Sequence, residues 1–111
     1  MNIAFSTTKL QKTFNSEKEL IREYGQEKSR VIIRRMAVLR AAVNLEQVPH
    51  LPPERRHELT GTRKGQFAVD LKHPFRLIFT PNHEPVPRKA DGGIDLQQVT
   101  AITIQSVEDY H

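Results

Sequence analysis

At 111 residues with a net charge of +4, the chain suits one domain spanning residues 1–111 and leans toward polyanionic partners, nucleic acid or an acidic protein. It has no cysteine, which excludes a disulfide framework and a thiolate metal site. No apolar run approaches the about 18 residues of a membrane span, and the N-terminus lacks a signal-peptide pattern, so no membrane partner and a cytoplasmic location are expected.

Ile3, Ala4 and Phe5 form a short strand candidate, followed by Ser6, Thr7 and Thr8, any of which can cap a helix. Leu10 and Phe14 stand four apart on one helical face, and Asn15 can end that helix. Ser16-Glu17-Lys18-Glu19 is a capping box, in which the serine oxygen and the glutamate satisfy amides left open at a helix start. Leu20, Ile21 and Tyr24 give this second helix its apolar side, and Gly25 stops it. The longest helix is expected from Gln26 to Val43, with Ile32, Met36, Leu39 and Val43 as its stripe and Glu27, Arg30 and Arg34 opposite. That basic face is either simply solvated or helps to hold a nucleic acid or a partner.

Residues 44–58 contain Pro49, Pro52 and Pro53, and proline lacks the amide that ladders and helix interiors need, so mostly irregular chain is expected. Two alternating runs follow. Phe67, Val69 and Leu71 share one side of the first; Phe75, Leu77 and Phe79 share one side of the second; His73-Pro74 turns between them. Arg76 and Ile78 then point away from the core. Residues 81–98, with three prolines and two glycines, read as a long loop. A third strand is expected from Val99 to about Val107, with Ile102 and Ile104 inward. Short strand, helices, then three antiparallel strands make an α+β domain, with the helices packed on one face of an antiparallel sheet.

Arg55, Arg56, Arg63, Lys64, Lys72 and Arg76 cluster in this middle region, offset there by Glu54, Glu58 and Asp70. Gly61-Thr62-Arg63-Lys64-Gly65 lacks the P-loop spacing; it is either a turn leading into a strand or a place where two cations and free amides meet a phosphate backbone. The histidines His50, His57, His73, His83 and His111 form no close ligand pair, so no metal and no cofactor are expected. His57 stands just before the basic loop, and Asp109-Tyr110-His111 supplies a carboxylate, a phenol and an imidazole directly after a strand. These groups suit RNA cleavage. RNA brings its own nucleophile, the 2′-hydroxyl, so two acid–base groups and one arginine suffice in principle. An aromatic ring can splay a base by stacking.

The stretch His57-Glu58-Leu59-Thr60-Gly61-Thr62-Arg63-Lys64-Gly65-Gln66-Phe67 resembles the H-x-L-K-G-x-R-x-G-x-[WF] segment of HigB toxins, members of the RelE/ParE superfamily also known as plasmid maintenance killer proteins. Pro74-Phe75-Arg76-Leu77-Ile78-Phe79 resembles that family's W-R-[IL]-x-F strand, and Val107-Glu108-Asp109-Tyr110-His111 its terminal E-D-Y-H. The chain departs from the pattern at Thr60, where many members have lysine, at Phe67, where tryptophan is common, and in the length of residues 81–98.

The resemblance implies a RelE-like fold and the toxin of a type II toxin–antitoxin pair, which cuts mRNA in the ribosomal A site. It implies that His57, Asp109 and His111 are the acid–base residues, that Arg76 holds the phosphate and that Tyr110 orients or stacks the substrate. Arg63 and Lys64 would touch the RNA backbone, with Arg55, Arg56 and Lys72 as further cations around it. The implied partners are the ribosome, mRNA and a HigA-like helix-turn-helix antitoxin, with operator DNA reached only through that antitoxin. Two alternatives remain open: a ParE-like inhibitor of DNA gyrase, and a non-catalytic member that binds only RNA or an antitoxin.

Overall fold

The computed structural model describes residues 1–109. Along the chain lie β1 (Asn2–Phe5), α1 (Thr8–Phe14), α2 (Glu17–Tyr24), α3 (Gln26–Ala41), β2 (His57–Glu58), β3 (Phe67–Asp70), β4 (Phe75–Pro81) and β5 (Ala101–Asp109), with short 3₁₀ turns at Leu45–Gln47, Gly61–Arg63 and Leu96–Gln98. The strands make one five-stranded sheet in the order β1-β5-β4-β3-β2. The α+β class holds, but the sheet is mixed rather than wholly antiparallel. β1 lies parallel to β5, while the other three neighbouring pairs are antiparallel. β2 is a two-residue strand inside the segment expected to be irregular, paired to β3 through His57–Ala68 and Glu58–Phe67.

The helix starts follow the sequence. Thr7 Oγ1 accepts from the Leu10 amide at 3.1 Å, and Ser16 Oγ from the Glu19 amide at 3.2 Å. The return half of the capping box is not made, since the Glu19 carboxylate turns outward to Arg22. Gly25, at φ +85°, closes α2 by donating to Ile21 O and opens α3 by accepting from Ser29; only a residue at ease in the left-handed region joins two helices in one step. The ammonium of Met1 sits on the carbonyls of Leu39, Arg40 and Ala42, where the α3 dipole favours positive charge.

α3 ends at Ala41, two residues early. Val43 falls outside the helix, 66% exposed, with its amide held by the Gln47 side chain, while Asn44 caps the next 3₁₀ turn. Ile32, Met36 and Leu39 are buried as expected. The stripe also contains Arg35, three residues after Ile32, 8% exposed and donating from Nε to Asp70 O at 2.6 Å.

The core lies between the three helices and one sheet face. Phe14, Leu20, Ile32, Met36 and Leu39 meet Phe67, Val69, Leu77, Phe79, Ile102 and Ile104. Phe67 and Phe79 pair across β3 and β4 with stacked rings 6.0 Å apart. The loop 81–98 is fastened by buried Ile94 and by His83 Nε2, which accepts from the amides of Thr100 and Ala101. No helix among the described residues is long and apolar enough to cross a membrane. The other sheet face carries only a small apolar cluster, Leu59, Ala68 and Ile78, and the polar side chains around it form the candidate site.

Candidate functional site

Which side chains reach this open face follows from strand alternation and register. In β4, Leu77 and Phe79 point to the helices, so Arg76 and Ile78 point away. Asp70 of β3 and Glu108 of β5 lie opposite Arg76 on its two sides, and Ala68 and Ser106 lie opposite Ile78. His57 pairs with Ala68 and so joins this face from β2.

Strict alternation from Ile102 and Ile104 would have turned Ser106 and Glu108 into the core. A bulge prevents it. Phe79 pairs with Ile104 but its neighbour Ile78 pairs with Ser106, leaving Gln105 as an extra residue. Val107 then faces the core, and Ser106 and Glu108 face out. The cue in the sequence is the step of three from Ile104 to Val107. Gln105 is itself held, its Nε2 donating to Thr80 Oγ1 at 3.0 Å.

His57 is half-buried, and its Nδ1 lies 2.8 Å from Arg55 O. A carbonyl can only accept, so Nδ1 carries a proton, and the tautomer this contact selects is the one with its lone pair on Nε2. Nε2 is closed off from solvent and has no hydrogen-bond partner among the described residues. The Arg55 carbonyl that sets this tautomer is itself fixed. Arg55 has φ +48°, its amide donates to Leu51 O, and its guanidinium grips both oxygens of Asp70 at 2.7 and 3.0 Å. Arg56 holds the fold as well. Its Nε donates to Val48 O at 2.8 Å, and burial pushes its pKa below the ordinary arginine value against the opposing charge of Glu46.

Arg63 is brought to the face by the loop after β2. Glu58 Oε2 accepts from the Gly65 amide, and Gly65 turns the chain at φ +97°. The Arg63 fork then meets Glu108 with two bonds of 2.7 and 2.8 Å, while Gln66 Oε1 accepts from its Nε and second terminal nitrogen at 3.1 and 2.9 Å. Ser106 Oγ donates to Glu108 Oε2 at 2.8 Å. A polar groove of about 420 Å³ runs beside this pair, lined by Arg63, Gln66, Thr80, Gln105, Ser106 and Glu108, with buried Ile78 as its floor.

The expected site residues are therefore divided. His57, Arg55, Arg63 and Arg76 share one sheet face. Arg56 is turned to the Val48 carbonyl. Lys64 is exposed on the 61–65 loop. Lys72 leaves the group, as its ammonium pairs with Glu27 of α3, next to Lys28 stacked on the Phe75 ring. Asp109 is exposed and lies opposite Phe75, one step of alternation away from Glu108. Tyr110 and His111 lie outside the described residues. Sequence reasoning missed Glu108 as a member of the face, and took Asp70 as an offsetting charge without the grip it makes on Arg55. Among the described residues no group of three histidine, aspartate or glutamate side chains is placed to hold a metal ion. A larger hollow of about 620 Å³ along β1 and α1 has no acid–base side chain in its lining.

The Arg63 hydrogen bonds hold the Glu108 carboxyl below its ordinary value. Burial pushes the other way, and Ser106 and the charges of Arg63 and Arg76 add to the lowering. A carboxyl whose pKa falls on folding stabilises the fold above its unfolded value of about 4.3, and that contribution is lost as pH drops through the folded value. Both side chains are about a third exposed, 36% and 31%, so solvent screening limits the gain. Urea titrations at neutral pH should find Glu108→Gln less stable than wild type by at most about 1 kcal/mol. Below about pH 4 the two curves should converge; a constant gap down to pH 3 would contradict the ion pair.

No protein-family model matches the chain, and a search of curated proteins finds no match.

Proposed function

We propose that this protein is a ribosome-dependent mRNA endoribonuclease with a RelE-like fold, the toxin of a type II toxin–antitoxin pair. The observation that carries this reading is a histidine whose proton is fixed on Nδ1, standing on the same open sheet face as Arg76 and Arg63. His57 Nε2 is covered in the free protein, so docking of the RNA has to move its cover aside; Nε2 then takes the proton of the 2′-hydroxyl, O2′ attacks the adjacent phosphorus, and the bond to O5′ breaks. The products are a 2′,3′-cyclic phosphate and a 5′-hydroxyl. Arg76 bears the charge gathering on the phosphate oxygens. The proton for the leaving oxygen falls, by the resemblance of the chain's last residues, to His111, since Asp109 stands one step of alternation away from the face that carries Arg76.

Among the described residues, three arginines against two carboxylates leave this face weakly positive, with Arg55, Arg63 and Arg76 set against Asp70 and Glu108. That suits a site which receives its RNA from the ribosome rather than capturing it unaided. The corresponding partner is a helix-turn-helix antitoxin that covers the basic surface or holds the toxin off the ribosome, and operator DNA is met only through it.

The test is primer extension on one mRNA in a purified translation reaction, with and without ribosomes. Wild-type protein should cut only when ribosomes are present. Arg76→Ala should lower cutting about 10²–10³-fold, the scale of losing one transition-state donor, while its circular dichroism stays that of wild type. A fully active Arg76→Ala protein would remove Arg76 from the mechanism, and an absence of cuts in every lane would reject the reading.

A further inference from the structure

The Arg63–Glu108 contact is a two-pronged grip of a planar guanidinium on a carboxylate, and the same fork matches two oxygens of a phosphodiester. Three features make it more than a surface ion pair. Gln66 Oε1 accepts from the far side of the guanidinium, so the fork stays aimed if its present partner leaves. Ser106 supplies a hydroxyl donor to the same carboxylate oxygen, as it could to a phosphate oxygen. Glu108 also stands opposite Arg76 in the ladder, so the Arg63 fork that grips it lies on the same stretch of the face as Arg76.

We propose that Arg63, Gln66 and Ser106 form a second phosphate subsite, for the RNA backbone phosphate next to the scissile one, and that the Glu108 carboxylate occupies this subsite in the free protein until the phosphate displaces it. The proposal rests on the nuclease reading and adds a guard to it. Glu108 offsets Arg63 and opposes Arg76, which lowers affinity for stray RNA, and only a strand presented at high local concentration turns it out. The cost is modest because the carboxylate swings into solvent, where it is readily hydrated.

The test uses binding alone, so it stands apart from cleavage and from the ribosome. A labelled, short, fully 2′-O-methylated single-stranded RNA, which has no free 2′-hydroxyl to react, is titrated with the full-length protein by fluorescence anisotropy at several salt concentrations. Glu108→Gln keeps the shape of the side chain and an oxygen for Arg63 and Ser106. It should bind about tenfold tighter than wild type, with a salt slope steeper by about 0.7, one further phosphate contact. In an Arg63→Ala background the same change should give no gain, because the fork it uncovers is gone. Glu108→Asp, which keeps the charge but is too short to span the fork, should show a smaller gain and serves as the second folded variant. Equal or weaker binding by Glu108→Gln would overturn the subsite and make Glu108 a mere support for Arg63. A gain that persists without Arg63 would overturn it in favour of a general charge effect. Absence of binding by all of the proteins would overturn it as well, while the primer-extension experiment decides the nuclease reading separately.

Discussion

His57→Asn is expected to lower RNA cleavage about 10²–10⁴-fold, the range general acid–base catalysis supplies, while leaving the unfolding midpoint close to that of wild type. The asparagine amide can reproduce the Nδ1 bond to Arg55 O, which braces a residue at φ +48°, but it has nothing at the position of Nε2. His57→Ala removes both functions, so it should lose activity to the same degree and some stability too. The pair separates proton transfer from scaffolding. If asparagine restored cleavage, His57 would be a brace for the Arg55 turn, and the proton acceptor would have to be sought elsewhere.

A still larger loss of fold is expected from Phe79→Ala. Phe79 is fully buried, stacks on Phe67, and sits beside the β5 bulge that turns Glu108 outward. Removing the ring should cost about 3–5 kcal/mol, against a total of roughly 5–15 kcal/mol for a domain of this size. Urea unfolding should show a far lower midpoint with an unchanged slope. Arg63 and Glu108 should then lose their mutual geometry in the unfolded fraction only. A loss below about 1 kcal/mol would mean that the core can close over the vacancy.

Much of this was legible because the signals are local. The serine of Ser16–Glu19 caps its helix, Gly25 separates two helices, and the alternations around Phe67 and Phe79 give the core side of two strands, with Arg76 leaving it. What escaped depends on partners distant in sequence or on small breaks of period. Nothing near β1 says that its neighbour is β5, about a hundred residues away, or that the pair runs parallel. The single extra residue at Gln105 reverses alternation, and with it the side on which Glu108 appears. Arg35 lies on an apolar stripe yet is buried because Asp70 O, from another element, receives its Nε. The basic cluster likewise read as one patch, although Lys72 pairs with Glu27 and Arg56 with Val48 O, contacts that exist only once α3 and the 44–56 segment are in place.

The position of β5 between β1 and β4 has a consequence for synthesis. β1 has no neighbour until residues 101–104 have been made, and β4 stays an open edge for as long. Glu108, opposite Arg76, and the bulge that aims it arrive with the same strand. A nascent or prematurely ended chain lacking β5 is therefore without both its closed sheet and its complete charge arrangement. On the nuclease proposal, the site and the sheet that supports it are expected to mature together, once β5 has paired with both its neighbours.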